Sequence, residues 1–181
     1  MADEGLRDMT RMPPVLDTSR LTLRAPAPAD LSAYRAFYAA SDVTEGHYRG
    51  GRSNTEVAAI HAADMTHWQD KGFGIWLIRT HEDDTVLGGA GLAQEAGWPS
   101  ELTWWLMPAA RGRGYATEAS RAIIAFAHDV LGWPRVQTFM RDWNIASHDL
   151  ARRLGGIKVA REVFPDGVTR DIYDLPREVQ A

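Results

Sequence analysis

The sequence contains no cysteine among its 181 residues. This absence excludes disulfide bonds, thiolate metal ligands and cysteine nucleophiles, so the fold must be stabilised by its apolar core. The sequence also lacks any apolar run approaching the roughly 20 residues of a membrane span, and its acidic first residues do not resemble a signal peptide. We therefore expect no membrane association and a cytoplasmic location.

Positive charge is in short supply as well. The 20 lysines and arginines are outnumbered by 24 aspartates and glutamates, which gives a net charge of −4 at pH 7. Because nucleic-acid-binding surfaces are usually basic, no nucleic-acid partner is expected. With 45% apolar residues, a chain of this length predicts one well-packed domain.

The hydrophobic periodicity predicts an α/β domain over residues 17–181, preceded by a flexible arm over residues 1–16. The predicted order is β-α-α-β-β-β-α-β-α-β-β, in a mixed sheet. The strand over 136–140 follows a helix, which allows it to run parallel to the strand before it. The predicted strands cover residues 20–24, 73–79, 86–92, 101–107, 136–140, 157–164 and 168–175, and the predicted helices begin near residues 30, 54, 117 and 147.

The segment from Arg111 to Ala116 lies between a predicted strand and a predicted helix. Gly112 and Gly114 allow positive φ angles, which turn backbone N–H groups into one concavity. The positive end of the helix dipole points to the same place, and Arg111 and Arg113 add two charges beside it. These features predict a phosphate or pyrophosphate site. The alternative is a glycine-rich turn with two solvated arginines.

Several segments, in chain order, resemble the GNAT superfamily of acyl-CoA-dependent N-acetyltransferases. Arg111, Gly114 and Ala116 match its signature Gln/Arg-x-x-Gly-x-Gly/Ala, and residues 18–24 resemble the first strand of the branch related to ribosomal-protein N-terminal acetyltransferases. The resemblance runs from about residue 17 to residue 175. It implies a single GNAT-like domain with splayed central strands and no metal. It also implies acetyl-CoA as co-substrate, and a primary amine, of a peptide N-terminus or a small molecule, as acceptor.

The resemblance further implies which residues bind acetyl-CoA. The backbone of Leu106 and Met107 would hydrogen-bond the pantetheine amides, and an N–H of one of them would polarise the thioester carbonyl. Asn144 would contact the pantetheine arm from the opposite strand. The phosphates would lie on the segment formed by Arg111, Gly112, Arg113, Gly114, Tyr115, Ala116 and Thr117.

Two residues are candidates for catalysis. Glu101, at the start of the central strand, matches a glutamate that accepts the amine proton in relatives, although a solvated strand-end carboxylate is the alternative. Many relatives have a tyrosine where this chain has Ala151, so Ser147 becomes the candidate acid. Its alternative role is a helix N-cap. The next carboxylates to consider as base are Glu45 and Asp171.

Other functions remain to be distinguished from acetyl transfer. A non-catalytic acetyl-CoA sensor or interaction module of the same fold would keep the segment from Arg111 to Ala116, called the glycine turn below, without needing Glu101. His61, Asp64 and His67 are spread over about 120° of a predicted helix, so they do not predict a metal site. The oligomeric state is expected to be a monomer or a homodimer.

Overall fold

The structure is a computed structural model that describes residues 12–43 and 48–178. The predicted order of elements is confirmed, with one short additional strand at the beginning. Residues 1–11 of the predicted arm lie outside the described residues, and the domain boundary at residue 17 stays a prediction. The elements are β1 Leu16–Asp17, β2 Leu21–Arg24, α1 Leu31–Ala40, α2 Asn54–Lys71, β3 Ile75–Thr80, β4 Gly88–Ala93, β5 Glu101–Leu106, α3 Tyr115–Asp129, β6 Val136–Met140, α4 Ile145–Arg153, β7 Ile157–Val163 and β8 Thr169–Leu175.

The strands form two antiparallel sheets instead of one mixed sheet. The first has the order β1-β2-β3-β4-β5 and the second the order β6-β8-β7. β5 and β6 are neighbours, but within the described residues no hydrogen-bonded ladder joins them. The expected splay of the central strands is therefore present. The strand that pairs with β6 is β8, and it runs antiparallel. The direction of Val136–Met140 relative to β5 stays a prediction, because no ladder joins these two strands in the described residues.

Helices cover both faces of the larger sheet. α3 packs against β2, β4 and β5 through an apolar cluster that includes Leu102, Ile123 and Phe126. α1 covers the opposite face, where Phe37 and Trp105 have ring centroids 4.3 Å apart. Apolar side chains on both faces of β5 thus fix the strand along which the site is built.

Local capping explains where the helices begin. Ser53 and Glu56 form a reciprocal capping box at the start of α2, with hydrogen bonds of 3.2 and 2.7 Å. Asp30 is the N-cap residue of α1 but makes no side-chain cap hydrogen bond. Its carboxylate instead accepts a hydrogen bond from the Ala27 N–H and pairs with the buried Arg79 at 2.7 Å. This aspartate therefore ties the entry to α1 to strand β3.

Candidate active site

Two cavities follow the splay between β5 and β6. The large groove has an empty volume of about 2560 Å³, including space open to solvent, and runs past the glycine turn and the starts of α3 and α4. The small cavity, of about 900 Å³ measured in the same way, lies between β5, β6 and β8. They meet at a junction, whose residues line both: Tyr48, Trp104, Trp143, Asn144 and Ser147.

The glycine turn has the backbone geometry that the sequence indicated. Gly112 and Gly114 have φ angles of 75° and 79°, and Gly114 is the N-cap of α3. A Cβ atom at Gly112 would meet no atom within 4 Å, so the surface there is open to a ligand. Arg111, Tyr115, Ala116 and Thr117 line the large groove as well, whereas Arg113 is not among its lining residues.

Further polar groups of the large groove were not identified from the sequence. Three of them are arginines from different elements: Arg20 immediately before β2, Arg121 in α3 and Arg153 in α4. These residues are far apart in the chain, so no local spacing could group them. Together with Arg111 they make the groove basic in a protein whose net charge is negative.

Glu118 anchors the segment before β2 to the first turn of α3. Its carboxylate accepts hydrogen bonds from the Thr18 hydroxyl at 2.6 Å and from Arg20 Nε at 2.7 Å. Burial acts to raise the pKa of Glu118, but these hydrogen bonds outweigh it and hold the pKa at about 2. The carboxylate is therefore ionised at neutral pH and holds Arg20 beside the glycine turn.

The backbone at the end of β5 distinguishes Leu106 from Met107. The Met107 N–H donates to the Leu87 carbonyl at 2.8 Å, and the Met107 carbonyl accepts from the Ala110 N–H at 2.8 Å. A donor role for the Met107 N–H does not fit this arrangement. Because successive N–H groups of a strand point to opposite edges, the Leu106 N–H points away from β4 and into the splay.

Glu101 lies half-buried at the start of β5 and lines the small cavity. Burial is the main cause that raises the pKa of Glu101 to about 8, with a further contribution from the negative charge of Glu95 and an opposing one from Arg170. The alternative of a freely solvated strand-end carboxylate does not fit this environment. A carboxylate with this pKa is a much stronger base than an ordinary glutamate.

Ser147 lies at the junction, in the first turn of α4. The N-cap of this helix is Asn144, whose side-chain oxygen accepts the Ser147 N–H at 3.3 Å. The N-cap interpretation of Ser147 is therefore wrong, since the helix begins two residues earlier than predicted. Ala151 is fully buried in the core, so this position supplies no acid.

The other carboxylates considered as bases fare differently. Asp171 is paired with Lys158 at 2.7 Å and with Arg161 at 2.9 Å. Hydrogen bonding to Lys158 is the main cause that lowers the pKa of Asp171, so it is a poor proton acceptor. Glu45 lies outside the described residues.

Aromatic side chains divide between the core and the cavity walls. Trp98 and Trp104 line the small cavity, whereas Trp68 donates to the Ile75 carbonyl inside the core. Tyr48 lines the junction, and its hydroxyl lies 3.0 Å from that of Thr103. Burial raises the pKa of Tyr48 well above its ordinary value, so its phenol stays protonated.

The histidines and carboxylate of α2 have separate contacts. His61 Nε2 lies 2.9 Å from the Ala27 carbonyl, and Asp64 accepts the Tyr34 hydroxyl at 2.7 Å. In the described part of the chain there is no group of three or more His, Asp or Glu side chains placed to hold a metal ion. The same residues include no helix long and apolar enough to cross a membrane.

Comparison with solved structures places the fold among acetyltransferases. An acetyltransferase from Agrobacterium tumefaciens str. C58 is 30% identical, with a TM-score of 0.80 over 90% of this chain and 94% of that one. Two structures below 25% identity share the fold. An acetyltransferase from Salmonella typhimurium that modifies the N-terminal serine of 50S ribosomal subunit protein L7/L12 is 15% identical (TM-score 0.75, covering 93% and 100% of the two chains). The microcin C7 self-immunity acetyltransferase MccE, in complex with acetyl-CoA and AMP, is 18% identical (TM-score 0.67, covering 87% and 92%).

A family model gives the same assignment from the sequence. Residues 20–157 match the acetyltransferase (GNAT) domain, a range that includes the glycine turn, Glu101, Asn144 and Ser147. The match covers well over half of the chain, and it includes both sides of the splay. The chain therefore belongs to the GNAT acetyltransferase family.

Proposed function

We propose that this protein is an N-acetyltransferase that moves an acetyl group from acetyl-CoA directly to a primary amine. The observation that carries the proposal is the junction, where the large groove and the small cavity meet with Ser147 between them. A thioester reaching the junction from the groove would lie next to an amine held near Glu101. The acetyl-CoA in the MccE complex supports the choice of co-substrate.

The large groove offers a complementary group to each part of acetyl-CoA. Arg111, with the N–H groups from Gly112 to Thr117, would hold the pyrophosphate at the start of α3. The Leu106 N–H would hydrogen-bond the thioester end. Asn144 uses its side-chain oxygen in the helix cap, so its Nδ2 is the atom that would donate to the pantetheine arm.

The chemistry follows from these positions. The ionised Glu101 takes a proton from the ammonium group of the acceptor, and the free amine attacks the thioester carbon. The Leu106 N–H stabilises the negative charge that develops on the carbonyl oxygen. As the C–N bond forms, the nitrogen loses its second proton to solvent and the C–S bond breaks. Ser147 gives its proton to the leaving thiolate and regains one from solvent. Proximity in the two adjoining cavities supplies the remaining acceleration.

The acceptor is expected to be an α-amine, of a peptide or a small molecule. An α-amino group has a pKa of ~7.7–8.0 and a lysine ~10.4, so deprotonating lysine at pH 7 costs roughly 3.5 kcal/mol more. A base with a pKa of about 8 is matched to the first of these. The ribosomal-protein branch remains a proposal, supported by the Salmonella typhimurium structure in fold alone.

The test is release of coenzyme A thiol in the presence of two primary amines whose pKa values differ by about two units. Wild-type kcat/KM should show a rising limb near pH 8 with both amines, because Glu101 must be ionised. Glu101→Gln should lower kcat on the order of 10²–10⁴-fold near pH 7. The variant should also lose the rising limb near pH 8 and keep only a limb whose midpoint follows the pKa of the acceptor amine.

Glu82→Gln is the matched control, since Glu82 is exposed in the turn between β3 and β4. It should leave the profile unchanged. A Glu101→Gln variant with the wild-type profile would remove Glu101 as base. Tight binding of acetyl-CoA without thiol release for any amine would favour the non-catalytic sensor instead.

A further inference from the structure

The small cavity carries opposite charges on its two walls. Glu101 on β5 and Glu95 in the loop before it belong to the side formed by the five-stranded sheet. Arg141, just after β6, and Arg170, in β8, belong to the side formed by the three-stranded sheet. No ion pair within residues 12–43 and 48–178 joins these carboxylates to these guanidinium groups. The cavity thus has an acidic wall and a basic wall with no ion pair between them among the residues that the structure describes.

The basic wall is held in place from behind by a single carboxylate. Asp166 accepts two hydrogen bonds of 2.7 Å from Arg170 and lies 3.5 Å from Arg141. Asp166 itself is not among the residues that line the cavity. One carboxylate between two guanidinium groups leaves a net positive charge, and the long contact to Arg141 leaves most of its donors for a ligand.

Arg170 cannot swing across to the acidic wall. Its side chain is only 11% exposed, and its guanidinium lies 5.0 Å from the ring centroids of both Trp98 and Phe164. Arg141 is more accessible, with 35% of its side chain exposed. An anionic group entering the cavity would therefore meet Arg141 first, with the charge of Arg170 behind it.

We propose that the acceptor is a small zwitterion, an amine with a carboxylate a few bonds away, as in an amino acid or a short peptide. This inference rests on the proposed acetyl transfer. The ammonium group would lie at Glu101 and Glu95, and the carboxylate would pair with Arg141. A simple amine would leave the basic wall unpaired, and a polyamine would bring a second positive charge against it, which disfavours both.

The experiment compares di- and tripeptides with their C-terminal amides as acceptors, using kcat/KM for the free-amine fraction. Pairing a carboxylate with Arg141 predicts a preference of about 10- to 100-fold for the free acids. Arg141→Gln should bring this ratio towards one, mainly through KM, and Arg141→Lys should restore part of it. Arg152→Gln, which removes an exposed arginine on α4 outside both cavities, should keep the ratio.

The outcomes separate this inference from the proposed function. Equal kcat/KM for acids and amides in the wild type would overturn the zwitterion while leaving acetyl transfer in place. A wild-type preference that survives in Arg141→Gln would overturn the role of Arg141. If thiol were released at the same rate in the absence of an amine as in its presence, the proposed transfer to an amine would be contradicted instead. If Arg141→Gln fails to fold, the wild-type comparison alone decides whether the carboxylate is recognised.

Discussion

At the scale of single residues, a substitution of Ser147 separates an effect on catalysis most clearly from an effect on stability. Ser147 lines the junction, and the cap of α4 is supplied by Asn144. Ser147→Ala should therefore lower kcat by roughly 10²-fold or more while leaving the free energy of unfolding within about 0.5 kcal/mol of wild type. Steady-state kinetics and urea denaturation measure the two effects.

Asn144→Ala provides the complementary measurement, because losing an N-cap should cost about 1 kcal/mol of stability. If Ser147→Ala is instead destabilised with an unchanged kcat, the hydroxyl is structural. Tyr48, which also lies at the junction with a protonated phenol, is then the next acid to test, as Tyr48→Phe.

Gly114→Val tests the glycine turn against a matched glycine elsewhere. Gly114 and Gly132 both have positive φ, at 79° and 66°, but Gly132 follows the far end of α3 and lines neither cavity. Both substitutions should destabilise the protein by roughly 1–3 kcal/mol through backbone strain. Only Gly114→Val should weaken acetyl-CoA binding, about 10-fold or more, as measured by calorimetry. Equal losses of affinity would mean that strain, and not the turn, is responsible.

The sequence identified Glu101 by its position but not by its environment. The resemblance places it at the start of the central strand, and β5 begins there. Its raised pKa depends on burial, Glu95 and Arg170, and Arg170 reaches the cavity only because β8 inserts beside β6. Likewise, no pattern near Met107 shows that its N–H is already bonded to Leu87.

At the scale of secondary-structure elements, Glu118 joins the segment before β2 to α3. Its folded pKa of about 2 lies below the unfolded value of ~4.3, so its stabilising contribution is present above that value and is lost as the pH falls towards 2. Glu118→Gln should lower the free energy of unfolding by about 1–2 kcal/mol at pH 7. The deficit should shrink steadily below pH 4. Urea titrations across pH would show this, and a deficit independent of pH would point to altered packing.

Element types were predicted well because each strand and helix has a clear local periodicity. α3 and α4 begin about two residues earlier than the apolar pattern predicts, because Gly114 and Asn144 are their N-cap residues. The division into two sheets could not be predicted, because pairing of β6 with β8 depends on contacts more than thirty residues apart. The strand β1 has only two residues, which are too few to show an alternation of apolar and polar side chains.

At the scale of the whole molecule, acetyl-CoA should bridge the five-stranded sheet and α4, the helix that follows β6. Bound in the large groove, it would contact β5 on one side and α4 on the other. Amide exchange of Trp104 and Leu106, whose N–H groups point into the splay, should slow when the ligand is added. Global stability should rise by ~2.7 kcal/mol at 100 times the dissociation constant. The β7–β8 hairpin serves as an internal control, and protection confined to the glycine turn would contradict bridging across the splay.

The splay between β5 and β6 also has a kinetic consequence. The acidic wall with Glu101 belongs to one sheet and the basic wall with Arg141 to the other, so the spacing between them depends on whatever spans the gap. A molecule that occupies the gap sets that spacing before the acceptor can bind Glu101 through its amine and Arg141 through its carboxylate. The order of addition should therefore be compulsory, with acetyl-CoA entering first and free coenzyme A leaving last. Product-inhibition patterns would then be competitive only between acetyl-CoA and coenzyme A.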